Sequence, residues 1–413
     1  YAKWIGIRNL QHQPDLKQDA LWIEALFGLG QTKAISKEII DLLTAKQKIS
    51  PNKLISIDVP AGLCSDSGKA ISEKACRAYA TLTIGLYKSG LIQDSALGFV
   101  GDLERVDIGI PEKVLVGLSD NQPLRISFSD LLTFNWPQPE KNKSKYQRGR
   151  VLVIAGSNKY RGAAALALHG VLASGVGSIN AILPKTISTG LWGILPEVVI
   201  AGELNNHSDG SLDLSNVLEE LDLEKFDSIL IGPGLGVPEE TNIFSTTLQD
   251  FKGLIVLDAD GINRLSFTTQ SWKWLAQRKG PTWITPHIGE FERLFPSIDS
   301  SSPLKAAMEA AKISGASVLL KCAHSVIADP GGKTWQIGQV DSSVARTGLG
   351  DVLAGFISGM GALGFAANKN WSTELLAASA LMHAYAGASC SKGSNASSIC
   401  EFLSELVKKE KHL

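Results

Sequence analysis

Hydrophobic positions along the chain fall into short apolar runs separated by stretches of helical periodicity. Residues 21–27 form a first apolar run that ends in Gly28-Leu29-Gly30, and a helical pattern follows over 36–45. Residues 54–59 form a second β-rich run, stopped by Pro60 and Gly62, and 80–86 a third. Strands alternating with helices predict a mostly parallel sheet. The character changes over 119–147, where Pro123, Pro137 and Pro139 precede the polar cluster Glu140-Lys141-Asn142-Lys143-Ser144-Lys145. This stretch is expected to be a linker. From residue 148 the rhythm resumes more strongly. Strands are expected at 151–154, 179–183, 228–231, 254–258, 282–285 and 318–321. The runs 325–329 and 334–337 flank Asp329-Pro330-Gly331-Gly332 and predict a hairpin. Helical patterns cover 162–175, 303–314, 351–363 and 374–389. Several strands are apolar at every position, as expected where helices cover both faces. The chain therefore divides into 1–118, a linker over 119–147, and 148–413.

Composition narrows the class. A length of 413 residues suggests two or three domains. With 44% apolar and 20% charged residues, the chain can bury large cores and is not disordered. The formal net charge is -1 and basic residues are scattered, which leaves no footprint for nucleic acid or an anionic membrane. No uninterrupted apolar run is expected to span a bilayer, and no signal peptide is visible. Cysteines occur at 64, 76, 322, 390 and 400, with no CxxC pair. That pattern suggests neither a disulfide framework nor a zinc site, and free thiols point to a cytoplasmic setting. The opening Tyr1-Ala2-Lys3-Trp4 enters mid-domain, so the chain reads as a fragment.

The candidate chemistry lies at 348–355, Gly-Leu-Gly-Asp-Val-Leu-Ala-Gly. A glycine turn leads directly into an apolar helix. The first helix amides lack intrahelical partners and the dipole favours negative charge, so such a start holds phosphate. Asp351 would then sit beside the phosphate, placed to take a proton from a substrate hydroxyl as that oxygen attacks a phosphoryl group. Alone, the motif reads equally as an N-cap aspartate after a loop. Context decides. Gly156-Ser157-Asn158 through Ala163 and Ala164 follows the first strand of this half. Ile231-Gly232-Pro233-Gly234-Leu235-Gly236 follows the third. Asp258-Ala259-Asp260, Thr285-Pro286-His287-Ile288-Gly289-Glu290 and Lys321 follow others. Such signals at successive strand ends fall on the edge where open α/β sheets bind ligands.

The runs TPHIGEFERL (285–294), IGPGLG (231–236), VLDADGIN (256–263) and GLGDVLAG (348–355) together resemble the NAD(P)H-hydrate dehydratase family. Upstream, EALFGLG (24–30), SIDVPAGLCSDSG (56–68), TLTIGLYKSGL (81–91) and GDLERVDIGIP (101–111) resemble the second half of the NAD(P)H-hydrate epimerase domain. The resemblance implies an α/β chain: a ribokinase-like three-layer domain preceded by part of a Rossmann-like epimerase domain. It implies ADP- or ATP-dependent dehydration of hydrated NADH or NADPH. Mg²⁺ is expected mainly because phosphoryl chemistry generally needs it. By position, Asp351 resembles the base. Ala163, Gly234 and His287 resemble contacts to the hydrate. Lys321, Cys322, Ala323, His324, Ser325 and Gly350 resemble the nucleotide site. In the epimerase half, Asp58 and Gly28 match substrate contacts, while the potassium-ligand positions carry Glu24 for aspartate and Ala61 for serine. Thr347 and Cys322 also depart from the family's small residues. His287 read alone is as compatible with a structural histidine. Glu290 is a helix-start carboxylate or a water-mediated Mg²⁺ ligand, and Asp258, Asp260 and Asn263 are equally open. A small-molecule substrate is expected, without nucleic acid or membrane; a homo-oligomer is admitted. The competing readings are a ribokinase-like kinase of a small hydroxylated metabolite or vitamin precursor, and a non-catalytic nucleotide-binding scaffold.

Overall fold

The computed structural model describes residues 15–118, 121–138, 142–214, 218, 221–238, 244–338, 346–369, 371–391 and 393–409. The opening residues 1–14, and 119, 120 and 139–141 of the expected linker, lie outside this set. The chain forms two compact units, Tyr1–Leu118 and Ser119–Leu413.

The first unit carries a four-stranded sheet in the order β1 (Trp22–Glu24), β2 (Leu54–Ile57), β3 (Ala80–Ile84), β4 (Asp102–Val106). Every pairing is parallel, as the strand–helix alternation predicts. The first strand is much shorter than the apolar run 21–27, because Leu26 and Phe27 lie in the loop that follows it. The fourth strand, Asp102–Val106, is mostly polar and carries no apolar alternation for a pattern to detect.

The second unit holds ten strands: β5 (Leu124–Ile126), β6 (Arg150–Ile154), β7 (Ser178–Pro184), β8 (Val199–Leu204), β9 (Ser228–Ile231), β10 (Leu254–Leu257), β11 (Thr282–Ile284), β12 (Ser317–Leu320), β13 (Val326–Ala328) and β14 (Thr334–Ile337). Their order is β5-β14-β13-β12-β11-β10-β9-β6-β7-β8. Only β13 runs against its neighbours; the other pairings are parallel. The β13–β14 hairpin turns at Asp329–Gly332, with the Gly332 amide donating to the Asp329 carbonyl.

The stretch expected to be a linker is reassigned by this pairing. Its residues Leu124–Ile126 register against Trp335–Ile337 as the edge strand of the large sheet. The helix Phe128–Thr133 then opens with a capping box between Ser127 and Asp130. Its prolines punctuate the chain without freeing it from the second unit.

Alternation within the buried strands builds three layers. Val151, Val153, Leu230, Leu254 and Val256 face one core, shared with Val352, Phe356, Leu376 and Leu403. Leu152, Ile154, Ile229, Ile231, Ile255 and Leu257 face the other, shared with Phe291, Leu294, Ala307 and Ala311. Helices thus cover both faces, which is why these strands read as unbroken apolar runs. The helix Leu349–Asn368 holds a segment, Leu349–Ala367, that is by length and composition apolar enough to cross a bilayer, although Asp351 interrupts its apolar run. It is mostly buried in the first of these cores. Its register against the helix Arg161–Ala173 is set by close backbone approach. A Cβ on Gly355 would lie 1.9 Å from the Ala167 carbonyl oxygen, and one on Gly170 2.2 Å from that of Val352.

Candidate active site

Because the strands are parallel, the C-terminal ends of β12, β11, β10, β9 and β6 lie side by side along one edge. The strand β7, between β6 and β8, carries no comparable signal and runs through Pro184 into a helix. The loop after β9 is shaped by glycine. Gly232 has φ 142° and a Cβ there would sit 1.7 Å from the Asp258 carbonyl oxygen. Gly234 has φ 65° and its Cβ would meet that of Ala163 at 2.7 Å. The two predicted substrate contacts, Ala163 and Gly234, are therefore neighbours, and only glycine permits the approach. Arg264 holds this loop from beneath. It donates to the carbonyls of Gly236 at 2.7 Å, Leu212 at 2.9 Å and Leu235 at 3.0 Å. Burial lowers its pKa to about 10, with Asp260 opposing.

A charged centre occupies the ends of β10, β11 and β12. Asp258 is buried, and its Oδ1 accepts from Lys321 Nζ and Thr285 Oγ1, each at 2.7 Å. Ala259 takes φ 47°, a strained value for a residue with a Cβ. The kink separates two roles: Asp258 serves Lys321, while Asp260 accepts from the Gly236 amide at 2.8 Å. His287 caps the helix Ile288–Leu294. Its Nδ1 accepts from the Glu290 amide at 3.2 Å and Glu290 Oε2 accepts from the His287 amide at 2.9 Å. The His287 side chain nevertheless remains 55% exposed, while that of Glu290 is 6% exposed. The backbone bridge between His287 and Lys321 fixes the two segments together.

Lys321 is the meeting point. Its Nζ would lie 3.8 Å from a Cβ on Gly350, at the start of the Leu349–Asn368 helix. Burial disfavours the lysine's charge, yet Asp258, Glu290 and Asp351 hold its pKa above the ordinary value. Burial raises Glu290, with Asp258 adding to the effect and Lys321 opposing it. Asp351 is pushed up to about 7, first by burial, then by the negative charge of Asp258, with Lys321 opposing and Asp260 adding. The helix start itself has Gly348 at φ 90° and, among the described residues, no side-chain cap on its first amides, a place that favours an anion.

Among the described residues, Lys321 is the member of the predicted nucleotide run that reaches the Gly350–Asp351 helix start. Cys322, Ala323, His324 and Ser325 form the turn between β12 and β13. Ser325 Oγ donates to the Cys322 carbonyl at 2.9 Å, and Cys322 Sγ folds back to the His324 carbonyl at 3.2 Å. His324 is buried. Thr285 and Arg264 escaped sequence reading although both lie within or beside the motifs; neither residue type announces a clamp. Among the described residues no three His, Cys, Asp or Glu side chains converge as a metal cage.

The model of the family described as NAD(P)H-hydrate dehydratase matches residues 151–408. The chain belongs to the NAD(P)H-hydrate dehydratase family. The model described as YjeF-related protein N-terminus matches residues 2–90. The bifunctional NAD(P)H-hydrate repair enzyme of Synechocystis sp. is 36% identical, aligned over 98% of this chain and 76% of its own length. That of Gloeobacter violaceus is also 36% identical, over 82% of this chain and 66% of its own length. Among solved structures, an Enterococcus faecalis ribokinase-like superfamily protein superimposes with TM-score 0.58 at 24% identity, covering 70% of this chain and 96% of its own. The fold of the second unit is thus ribokinase-like.

The dehydratase-family unit is preceded by a second cluster, in the first unit. Asp58, at φ 70°, forms an ion pair with Lys88 and accepts from the Ile84 amide at 3.1 Å. A Cβ on Gly28 would lie 2.9 Å from Asp58 Oδ2, so the two predicted substrate positions adjoin. Lys88 was not singled out from sequence, although it lies in the quoted run 81–91. Glu24 is buried, with Oε1 accepting from the Leu26 amide at 2.8 Å. Its Oε2 accepts from Ser56 Oγ at 2.9 Å and the Ala61 amide at 3.2 Å. Both carboxylate oxygens face protein donors, and Ala61 offers no side-chain oxygen. Cations of this class take oxygen ligands, so this set does not fit a potassium ion.

Proposed function

We propose that the second unit dehydrates hydrated NADH or NADPH at the expense of ADP or ATP. The observation that carries this reading is the convergence of Asp351, Lys321 and the uncapped helix start at Gly350 on one strand-end edge. Nucleotide phosphate would rest on the helix amides with Lys321 beside it, since a preorganised cation and amide dipoles stabilise phosphoryl charge. Asp351 would take the proton from the hydroxyl of the hydrated ring as that oxygen attacks the terminal phosphorus. The phosphorylated hydroxyl then leaves as phosphate, and loss of a ring proton restores the double bond. A carboxylate with its pKa near 7 is suited to a general base at neutral pH. Ala163, Gly234 and His287 would hold the hydrate, the exposed imidazole edge being available to it. Mg²⁺ fits as a companion of the nucleotide, held mostly by phosphates and water as that ion prefers, with Glu290 the carboxylate at hand. It would screen charge between the phosphates. The kinase reading has no observation in its favour.

The deciding experiment mixes the protein with hydrated NADH and ATP or ADP and follows dihydronicotinamide absorbance. Its return at a rate proportional to enzyme supports the reading; no return with either nucleotide sinks it.

His287 supplies a sharper check. His287→Ala should raise KM for the hydrate about tenfold or more while moving that for nucleotide less than about threefold, an effect on substrate contact of order 1.4 kcal/mol. It also removes a cap worth about 1 kcal/mol. His287→Asn retains a capping acceptor, so it should recover the melting temperature and not the hydrate KM. Equal changes in both KM values would point to a purely structural histidine.

A further inference from the structure

We infer that Arg293 binds the diphosphate of the hydrated dinucleotide, beside His287. The inference rests on the reading that His287 and the loop around Gly234 hold the hydrate. Arg293 is exposed and lies in the last turn of the helix Ile288–Leu294. Its Nε donates to Asn263 Oδ1 at 3.0 Å, on the neighbouring helix Asp260–Ser266. Arginine carries only donors, so the amide oxygen of Asn263 must be the atom that faces it. Asn263 Nδ2 then faces Asp260, whose Oδ1 accepts from it at 3.2 Å. The other carboxylate oxygen, Asp260 Oδ2, accepts from the Gly236 amide at 2.8 Å. One chain of bonds thus ties the guanidinium to the loop that carries Gly234. Asp260 and Asn263, open in the sequence, become positioning residues for that pair.

The far edge of the guanidinium points to a ligand. A Cβ on Gly289 would lie 3.1 Å from His287 Cε1 and 3.7 Å from Arg293 Nη1. The imidazole and the guanidinium therefore flank one glycine. Gly289 has no positive φ, so the backbone does not demand glycine there. What the missing side chain does is leave both polar heads open to a single ligand. Nε is committed to Asn263, which leaves the edge formed by Nη1 and Nη2. Two parallel N–H donors on that edge match two oxygens of a phosphate. The hydrated ring is itself uncharged, and the diphosphate is the anionic group common to hydrated NADH and NADPH. It lies one ribose from the ring, whereas the 2′-phosphate of NADPH lies beyond, on the adenosine ribose. A cation in a last helical turn also suits the helix dipole. Here, however, Nε donates to Asn263 on another helix and not to a carbonyl of its own.

Binding of the reaction product tests this without turnover. Dihydronicotinamide fluorescence gives Kd for NADH, NADPH and reduced nicotinamide riboside, each in saturating ADP, with the full chain and with Arg293→Gln. The variant should bind NADH and NADPH about tenfold or more weakly, as for loss of a charge-assisted pair of hydrogen bonds. The riboside, which has no phosphate, should change less than about twofold. Added salt should weaken NADH binding to the parent more steeply than to the variant, because a screened ion contact is present in one and absent in the other. Equal losses for all three ligands, with a lower melting temperature, would show a purely structural arginine. A loss confined to NADPH would move the contact to the 2′-phosphate and overturn the diphosphate assignment. If the riboside binds too weakly to measure, the salt slopes decide, and parallel slopes overturn the contact. If Arg293→Gln misfolds, Arg293→Lys keeps the charge without the fork and should weaken NADH about threefold or more; unchanged affinity there overturns the contact. Turnover of hydrated NADH by the parent is measured alongside. If the parent neither restores dihydronicotinamide nor binds NADH, the dehydratase reading falls and the contact with it. If the parent does both and Arg293→Gln binds NADH as tightly, only the contact falls.

Discussion

Asp351→Asn is expected to lower turnover by about two to four orders of magnitude, the range for loss of a general base, while leaving nucleotide affinity within a few fold. The same substitution should make the protein more stable at alkaline pH. The sign follows from the raised pKa. The carboxyl titrates near 3.8 when unperturbed and near 7 in the folded state. Between those values the folded protein holds a proton that the unfolded chain has lost, so stability falls as pH rises through that window. Above pH 7 the whole penalty of an ionised, mostly buried carboxylate is present. At about 1.4 kcal/mol per unit it is of order 2–4 kcal/mol. Asparagine carries no such charge. The variant should therefore melt higher than the parent at pH 8, with the gap closing toward pH 4. Single-turnover kinetics and melting curves at both pH values check the pair of effects. A variant that keeps more than a tenth of parental turnover refutes the base, and a gap that widens toward acid refutes the electrostatic account.

This opposition between function and stability is legible in the residues around the carboxylate. Asp258 and Asp260 make Asp351 harder to ionise, and Lys321 makes it easier. The lysine is shared: Asp258 already holds it at 2.7 Å. A centre with more carboxylates than cations is unfavourable in isolation and becomes useful when a positively charged or proton-bearing ligand arrives.

Much of this was readable beforehand where a residue's own chemistry dictates backbone shape. The glycines of IGPGLG and Gly348 of GLGD fall where positive φ or close approach admits no side chain, and the apolar strands β6, β9 and β10 fall where both faces are buried. The helix Pro303–Ser314 was delimited by its N-terminal proline and the left-handed Gly315 beyond its end. The short helix Asp260–Ser266 was not predicted, and Ile288–Leu294 only as the helix start that one reading of Glu290 implied, because seven residues give too little periodicity. The edge strand β5 was hidden by surrounding prolines. At the site, Asp351, Lys321 and His287 stood out by motif. Arg264 and Thr285 did not, since their work is done on backbone carbonyls and on another side chain across distant elements, which no local pattern encodes.

The first unit should show no potassium-stimulated epimerisation of the hydrate. Exchange at one carbon requires the substrate to be held rigidly while a proton leaves and returns. Asp58, Gly28 and Lys88 do converge, so the predicted substrate positions remain together. The position that the resemblance assigns to a cation is where the residues differ. Glu24 spends Oε1 on the Leu26 amide and Oε2 on Ser56 Oγ and the Ala61 amide. Rotating it toward an ion would strip buried donors of their acceptor, at about 1–3 kcal/mol each. Ala61 contributes no oxygen in compensation. Supplied with the pure R epimer and excess dehydratase activity, the protein should therefore consume it at the enzyme-free rate, equally in sodium and potassium. Glu24→Asp with Ala61→Ser shortens the carboxylate and returns a hydroxyl beside it. If the cation ligands are the missing component, that double variant should accelerate epimerisation in potassium and not in sodium. Rapid, potassium-dependent conversion by the parent protein would show that Glu24 reaches the ion despite its three donors. A double variant as inert as its parent would move the defect from the cation ligands to the grip on the substrate.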